Sequence, residues 1–271
     1  MTAMSALALL AETARDNHSD LVSWKDNVAI FAVQPVNASG APATRFLITV
    51  ADTGDKIVAK EAKTEHLPSF CPERHINFDG TFCLYWAEAE PLEITDAEAA
   101  RRWWGKLLIF LLRQRTAAAL CSWPGKGEAR AHGPEAARYQ AAAEASAIRI
   151  GGAFEKALKE GRLTTLRRRH GGHDRLRLLL DGRRLLTVDV ETGQVMTRRQ
   201  RCQCDRGSGL PLAACSDHAQ MCADLAAALE GWRLAEAKFF DSFKDSSLKC
   251  CGTMDECPLR DLVDTELSIA A

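Results

Sequence analysis

An α+β fold in two modules is predicted by three features. Short alternating strands cluster near the N-terminus, two helical segments follow them, and a cysteine-rich stretch with its own hairpin and long helix lies beyond. The expected architecture is an antiparallel strand meander with flanking helices over residues 1–150. A smaller α+β module is expected over residues 151–271.

Each element has a local reason. Residues 4–15 suit a short helix. NVAIFAV at 27–33, RFLITVA at 45–51 and KIVAKEA at 56–62 suit strands, and Phe46, Ile48 and Val50 alternate as a half-buried strand requires. Gly40-Ala41-Pro42 and Asp52-Thr53-Gly54-Asp55 are turn chemistry. An irregular stretch runs from Leu67 to Leu92. Thr95 and Glu98 have capping-box spacing and open a helix with Trp104, Leu107, Leu108, Leu111 and Leu112 on one face. That helix should stop near Cys121, and Pro134 should open another reaching about Ala147. Gly151-Gly152 reads as a hinge, residues 153–160 as a short helix and LTTLRRRHGG (163–172) as a basic turn. RLRLLL and RRLLTVDV flank Asp181-Gly182, a dipeptide suited to a two-residue hairpin turn. A long helix over 217–243 should bury Leu225, Leu229, Trp232, Phe239 and Phe243.

Composition bounds the function. The chain has 271 residues, 46% of them hydrophobic, enough for one large core or two modest ones. Net charge is −1, so bulk charge selects no partner, but its distribution is uneven. Residues 1–100 hold 15 acidic and 7 basic residues, whereas 162–201 hold 11 arginines against 4 acids. No aromatic residues interleave those arginines, which argues against base stacking and nucleic-acid binding. Residues 4–14 lack the basic start of a secretory signal, and LLIFLL at 107–112 is too short to span a membrane. The expectation is a cytoplasmic protein whose ten cysteines are reactive, metal-bound or buried rather than paired in disulfides.

The chemistry concentrates in CPERHINFDGTFCLYW, residues 71–86. A thiolate attacks a carbonyl and holds the acyl group as a thioester. The attack builds negative charge on the carbonyl oxygen, which a fixed amide N–H stabilises. Asn77, ahead of Cys83 across a turn, suits that task. Cys71 precedes a proline, has no amide partner and reads as structural; Cys121 reads as helix core. His132, before Gly133, is an accessory candidate for taking a proton, or else a support for the helix start.

HINFDGTFCL resembles the active-site segment of ubiquitin-conjugating enzymes, whose pattern is His-Pro-Asn, a short glycine-bearing loop and then Ile-Cys-Leu. The preceding helix, meander and LPSFCPE approach, and the helices that follow, resemble that family over roughly residues 20–147. The resemblance is to the divergent prokaryotic members, which serve ubiquitin-like conjugation in bacterial defence or regulatory operons, and the WPGKGEARAHGPEAARYQ stretch is similar to part of that variant; the Ala- and Arg-rich composition suits a bacterial source. The resemblance implies a UBC-like fold in which Cys83 carries the modifier, Asn77 stabilises the oxyanion and His75 supports the loop. It further implies a ubiquitin-like modifier, an activating enzyme and a protein target as partners. No organic cofactor is expected, because the thioester stores the activation. Two departures stand out: Ile76 replaces the family's proline, and the five residues between Asn77 and Cys83 make a shorter loop than the eukaryotic pattern. Glu88, Glu90 and Asp96 are the acids in range by sequence.

The C-terminal part holds Cys202, Cys204, Cys215, His218, Cys222, Cys250, Cys251 and Cys257. Zinc takes four thiolate or imidazole ligands tetrahedrally. The expected structural site joins Cys202 and Cys204 to Cys215 and to His218 or Cys222. Cys250, Cys251 and Cys257 would supply a second cluster or complete the first. Two alternatives remain at this point: an inactive adaptor of the same fold acting through its zinc module, and a thiol hydrolase with Cys83 as nucleophile and His132 as base.

Overall fold

The computed structural model describes residues 4–86, 88, 90–125, 129–197, 199–207, 209–244 and 246–260. Part of the 151–271 module, residues 261–271, therefore lies outside the described residues. The fold is α+β, with two antiparallel sheets and five α-helices among the described residues. The chain divides into two compact units, one within Met1–Pro124 together with Phe243–Ala271, the other Gly125–Ser242. This division differs from the boundary drawn at residue 150. The helix that starts at Pro134 belongs to the second unit, and the last cysteines belong to the first.

In the first unit, helix α1 (Ala6–Thr13) is capped by the Ser5 hydroxyl, which accepts from the Ala8 N–H. Strands β1 (Ser19–Lys25), β2 (Val28–Val33), β3 (Phe46–Asp52) and β4 (Ile57–Glu61) form an antiparallel meander in chain order. Phe46, Ile48 and Val50 point into the core, as their alternation predicts. Strand β1 carries no such signal: only Ser19 is buried, while Leu21, Val22 and Trp24 are exposed. Helix α2 (Ala97–Leu120) lays Trp103, Trp104, Leu107 and Leu111 into the same core, with Leu108 and Leu112 half-buried beside them. Trp104 meets Phe31 edge to face at 5.1 Å and donates its indole N–H to the Leu10 carbonyl. The cap of α2 is Asp96, whose carboxylate accepts from the Ala99 N–H at 2.7 Å, not the expected Thr95. Cys121 ends the helix in the left-handed conformation and is half-buried, so it is a terminus rather than core.

In the second unit, α3 (Pro134–Ile150) runs straight into α4 (Gly152–Lys159). Gly151, at φ 150°, is the junction, and the Asp205 carboxylate caps α4 there by accepting from the Gly152 N–H. A Cβ on Gly151 would fall 2.6 Å from the Asp205 carboxyl carbon. The Gly151-Gly152 pair is thus a capped corner within one unit, not a hinge. Strands β5 (Leu163–His170), β6 (His173–Leu180), β7 (Arg183–Asp189) and β8 (Gln194–Val195) form the second antiparallel sheet. The Arg167–Arg169 run is therefore part of a strand, and Gly171-Gly172 is the turn. Its exposed, charged side chains hid it from an apolar alternation test. Helix α5 (His218–Lys244) buries Leu225, Leu229 and Phe240, with Trp232, Phe239 and Phe243 half-buried.

Candidate active site and cysteine clusters

The stretch from Cys71 to Cys83 is held by short backbone bridges. Cys71 and Ile76 exchange both hydrogen bonds, at 3.2 and 3.0 Å, around a tight Pro72–Arg74 turn. His75 leaves that turn in the left-handed conformation, φ 54°. Ile76 next pairs with Phe82, flanked by Asn77 N–H to Thr81 O and Cys83 N–H to His75 O, each 2.8 Å. Phe82 also donates its backbone N–H to Ala59 of β4 and stacks on Phe110 of α2 at 4.7 Å. The buried Arg74 guanidinium donates to Gln114 of α2, and the Gln114 amide donates back to the Arg74 carbonyl at 2.6 Å. Sheet and helix thus fix the strip at several points.

Within the turn, the Asn77 side-chain amide donates to the Thr81 hydroxyl at 3.0 Å. That hydroxyl donates to Asp79 at 2.6 Å, and Asp79 also accepts the Thr81 backbone N–H. Burial works against the Asp79 charge, but the Thr81 hydrogen bonds and nearby Lys60 hold its carboxyl below the usual value. Thr81 and Asp79 were not singled out in the sequence; their signal is an Asp-Gly-Thr turn one residue beyond the candidate amide. Beside the turn lies an open cleft of about 360 Å³, lined in part by Lys60, Glu61, Phe78, Asp79 and Phe82.

Cys83 is exposed. The protein atoms crowding its sulfur push the thiol pKa up, and Lys56 opposes that shift. Crowding and exposure point in different directions here; the accessible surface decides whether a partner can reach the sulfur. The His75 ring is buried against Trp123 at 4.8 Å. Of the acids in range, Glu90 pairs with Lys106 at 2.6 Å and Asp96 is spent on the α2 cap. His132 lies in the second unit, its ring against Phe239 and Phe240 and its backbone N–H on Glu236 of α5.

Two cysteine clusters form. In the second unit, Cys202, Cys204, Cys215 and His218 are all buried and converge. The His218 Nδ1 is 3.3 Å from the Cys202 sulfur and 3.4 Å from that of Cys215, and Cys204 lies 3.8 Å from Cys215. A tetrahedral zinc with Zn–S of about 2.3 Å and Zn–N of about 2.0 Å requires ligand–ligand edges of about 3.5–3.8 Å, so the donor set fits. Cys222 lies one helical turn beyond His218 but outside this group; burial and the neighbouring thiols push its pKa up to about 12. In the first unit, Cys71 gathers with Cys250 and Cys251, and Cys257 stands 3.5 Å from Cys250. Cys71 therefore has thiol partners that its place in the sequence did not suggest. Cys250, Cys251 and Cys257 form a second cluster and do not complete the first. Elsewhere, Arg168, Arg169, Arg175, Arg177 and Arg184 line a hollow of about 330 Å³ on the second sheet. No described helix is long and apolar enough to cross a membrane.

Residues 18–125 match the family model for a prokaryotic E2 domain, and residues 131–259 match that for a cysteine-rich domain C-terminal to the E2 domain. No curated protein and no solved structure matches the chain significantly.

Proposed function

We propose that this chain, which belongs to the prokaryotic E2-like proteins with a cysteine-rich extension, accepts a ubiquitin-like protein as a thioester on Cys83 and passes it to a target. Family membership places it in ubiquitin-like conjugation, with modifiers and activating enzymes as its general class of partner. The finer reading is carried by one observation. An exposed thiol and a hydrogen-bonded asparagine amide stand at the two ends of one braced turn.

The chemistry asks little of the thiol. The Cys83 sulfur attacks the thioester carbonyl on the activating enzyme; the new C–S bond forms, and the old thiol leaves with the proton that Cys83 gives up. An amine on the target then attacks the same carbonyl, and Cys83 departs and is reprotonated. Both steps pass through an oxyanion. The Asn77 amide has two N–H groups, of which Thr81 engages one, leaving the other for that oxygen. Because the incoming acyl group is already activated, no strong general base is required. This favours an acyl carrier over a hydrolase: among the described residues no side chain hydrogen-bonds the Cys83 sulfur, and its thiol is raised rather than lowered. Zinc at Cys202, Cys204, Cys215 and His218 would hold the second unit folded, and organic cofactors have no part. The free thiols and the thioester suit a reducing cytoplasm.

The test mixes the protein with its activating enzyme, modifier and ATP and resolves the products on non-reducing gels. A reductant-sensitive adduct is expected for wild type and Cys121→Ala and not for Cys83→Ala. No adduct from folded protein with a competent activating enzyme would leave the adaptor reading in its place.

A further inference from the structure

The cysteine-rich extension supplies three thiols to the unit that carries Cys83, and the fourth comes from the catalytic strip itself. We propose that Cys71, Cys250, Cys251 and Cys257 hold a second zinc ion, which staples residues 250–257 to the strip leading to Cys83. Cys71, Cys250 and Cys257 are buried and Cys251 is half-buried. The Cys250 sulfur lies 3.7 Å from that of Cys71 and 3.5 Å from that of Cys257, and Cys251 lies 3.0 Å from Cys71. The first two spacings are close to the edge of a four-thiolate tetrahedron, about 3.8 Å for Zn–S bonds of about 2.3 Å. The third closes on ligation by a small opening of Cys251, the least buried of the four; Cys71, Cys250 and Cys251 already converge, and Cys257, beside Cys250 but outside that trio, turns inward to complete the set. Four thiolates with no imidazole or carboxylate select zinc over harder divalent ions. Each thiol releases its proton to solvent as the metal binds, leaving a complex of charge −2.

The fold around the cluster is already built to hold these side chains. Met254 and Leu259, on either side of Cys257, are almost fully buried. Asp255 N–H donates to the Cys121 carbonyl at 2.8 Å, and Cys257 N–H to that of Met254. Sequence distance is large, since Cys71 and Cys250 are 179 positions apart. A metal closing that loop stabilises the unit by removing much of the freedom of the unfolded chain. Its effect reaches the reactive thiol through few links: Cys71 is bridged to Ile76, Ile76 to Phe82, and Phe82 is next to Cys83. Cys71 is thus a positioning residue for the strip.

The test is metal stoichiometry and cobalt spectroscopy on the full chain, neither of which depends on conjugating activity. Wild type should bind two zinc ions per chain, and Cys71→Ser one. Cobalt-substituted wild type should show overlapping four-sulfur and three-sulfur-one-nitrogen bands, with the four-sulfur component lost in Cys71→Ser. Should Cys71→Ser fail to fold, Cys202→Ser/Cys215→Ser isolates the proposed site and should retain one ion with a pure four-sulfur spectrum. Two ions in Cys71→Ser, or none in the folded double variant, would overturn the proposal. So would a Cys71–Cys251 disulfide in native protein purified without reductant under nitrogen.

Discussion

Cys83 donates its backbone N–H to the carbonyl oxygen of His75 at 2.8 Å, closing the turn that carries Asn77, Asp79 and Thr81. The histidine thus braces Cys83 through its main chain, while its ring packs on Trp123. The Asn77 side-chain amide is held separately, by the Thr81 hydroxyl at 3.0 Å.

Those two supports separate in mutants. Asn77→Ala should slow acyl transfer by on the order of 100-fold, the cost of one lost oxyanion donor. Thr81→Val leaves the amide in place but unanchored. Loss of one neutral hydrogen bond, worth about 1 kcal/mol, corresponds to a several-fold slower transfer. Single-turnover discharge of the loaded thioester to free lysine measures both. Equal rates in Thr81→Val and wild type would show that Thr81 does not position the amide.

Ile76 explains a departure from the family's pattern. Its N–H donates to the Cys71 carbonyl at 3.0 Å, and a proline there has no N–H to give. Proline would also push the preceding His75 away from its left-handed conformation. Ile76→Pro should therefore destabilise the first unit by about 1–3 kcal/mol, read as a lower denaturation midpoint. An unchanged midpoint would mean that the bridge contributes nothing.

Part of this arrangement was legible in sequence, and the misses have physical causes. Asn77 and Cys83 stand on one short stretch, so a joint role could be proposed from spacing alone. The Phe46, Ile48 and Val50 alternation exposed β3, whereas β1 and β5 carry exposed side chains on most positions and offered no period to read. Cys202, Cys204 and Cys215 lie within one short stretch and could be grouped from spacing, with His218 and Cys222 left as alternatives for the fourth place. Cys71 could not, because its thiol partners lie 179 and 180 positions away. Thr95 lost the cap of α2 to Asp96, which follows it immediately and offers a charged acceptor to the helix N-terminus.

The Cys83 thiol has a defined pH behaviour. Crowding by protein atoms raises its pKa, so its thiolate forms at higher pH than that of an ordinary thiol, whose pKa is about 8.5. Alkylation by iodoacetamide should accordingly rise with pH along a curve displaced upward from that of a free cysteine. The same shift means that the folded state holds this proton more tightly than the unfolded chain. Its contribution to stability is full below the unfolded value and is lost as pH rises through the folded one. Lys56→Ala removes the opposing charge and should displace the curve further upward, with a gap from wild type that narrows in high salt. A midpoint below that of free cysteine would contradict the crowding and reopen the hydrolase reading.

Cys222 and Cys202 make the sharpest comparison in the second unit. Both are buried, at 3% and 7% exposure, and sequence spacing admitted both as ligands. Geometry separates them: Cys202 lies 3.3 Å from His218, whereas Cys222 stands outside the converging four. Cys222→Ala removes only a small buried side chain, so it should keep the full zinc content and cost about 1 kcal/mol, the scale of a lost buried methylene. Cys202→Ser should lose one zinc ion and lower the unfolding temperature far more, because metal binding in such modules is worth about 10 kcal/mol or more of folding free energy. Metal analysis alongside thermal unfolding reads both. Zinc loss from Cys222→Ala with Cys202→Ser fully loaded would exchange their roles, placing the ligand on the first full turn of α5 rather than on the Cys202–Cys204 knuckle.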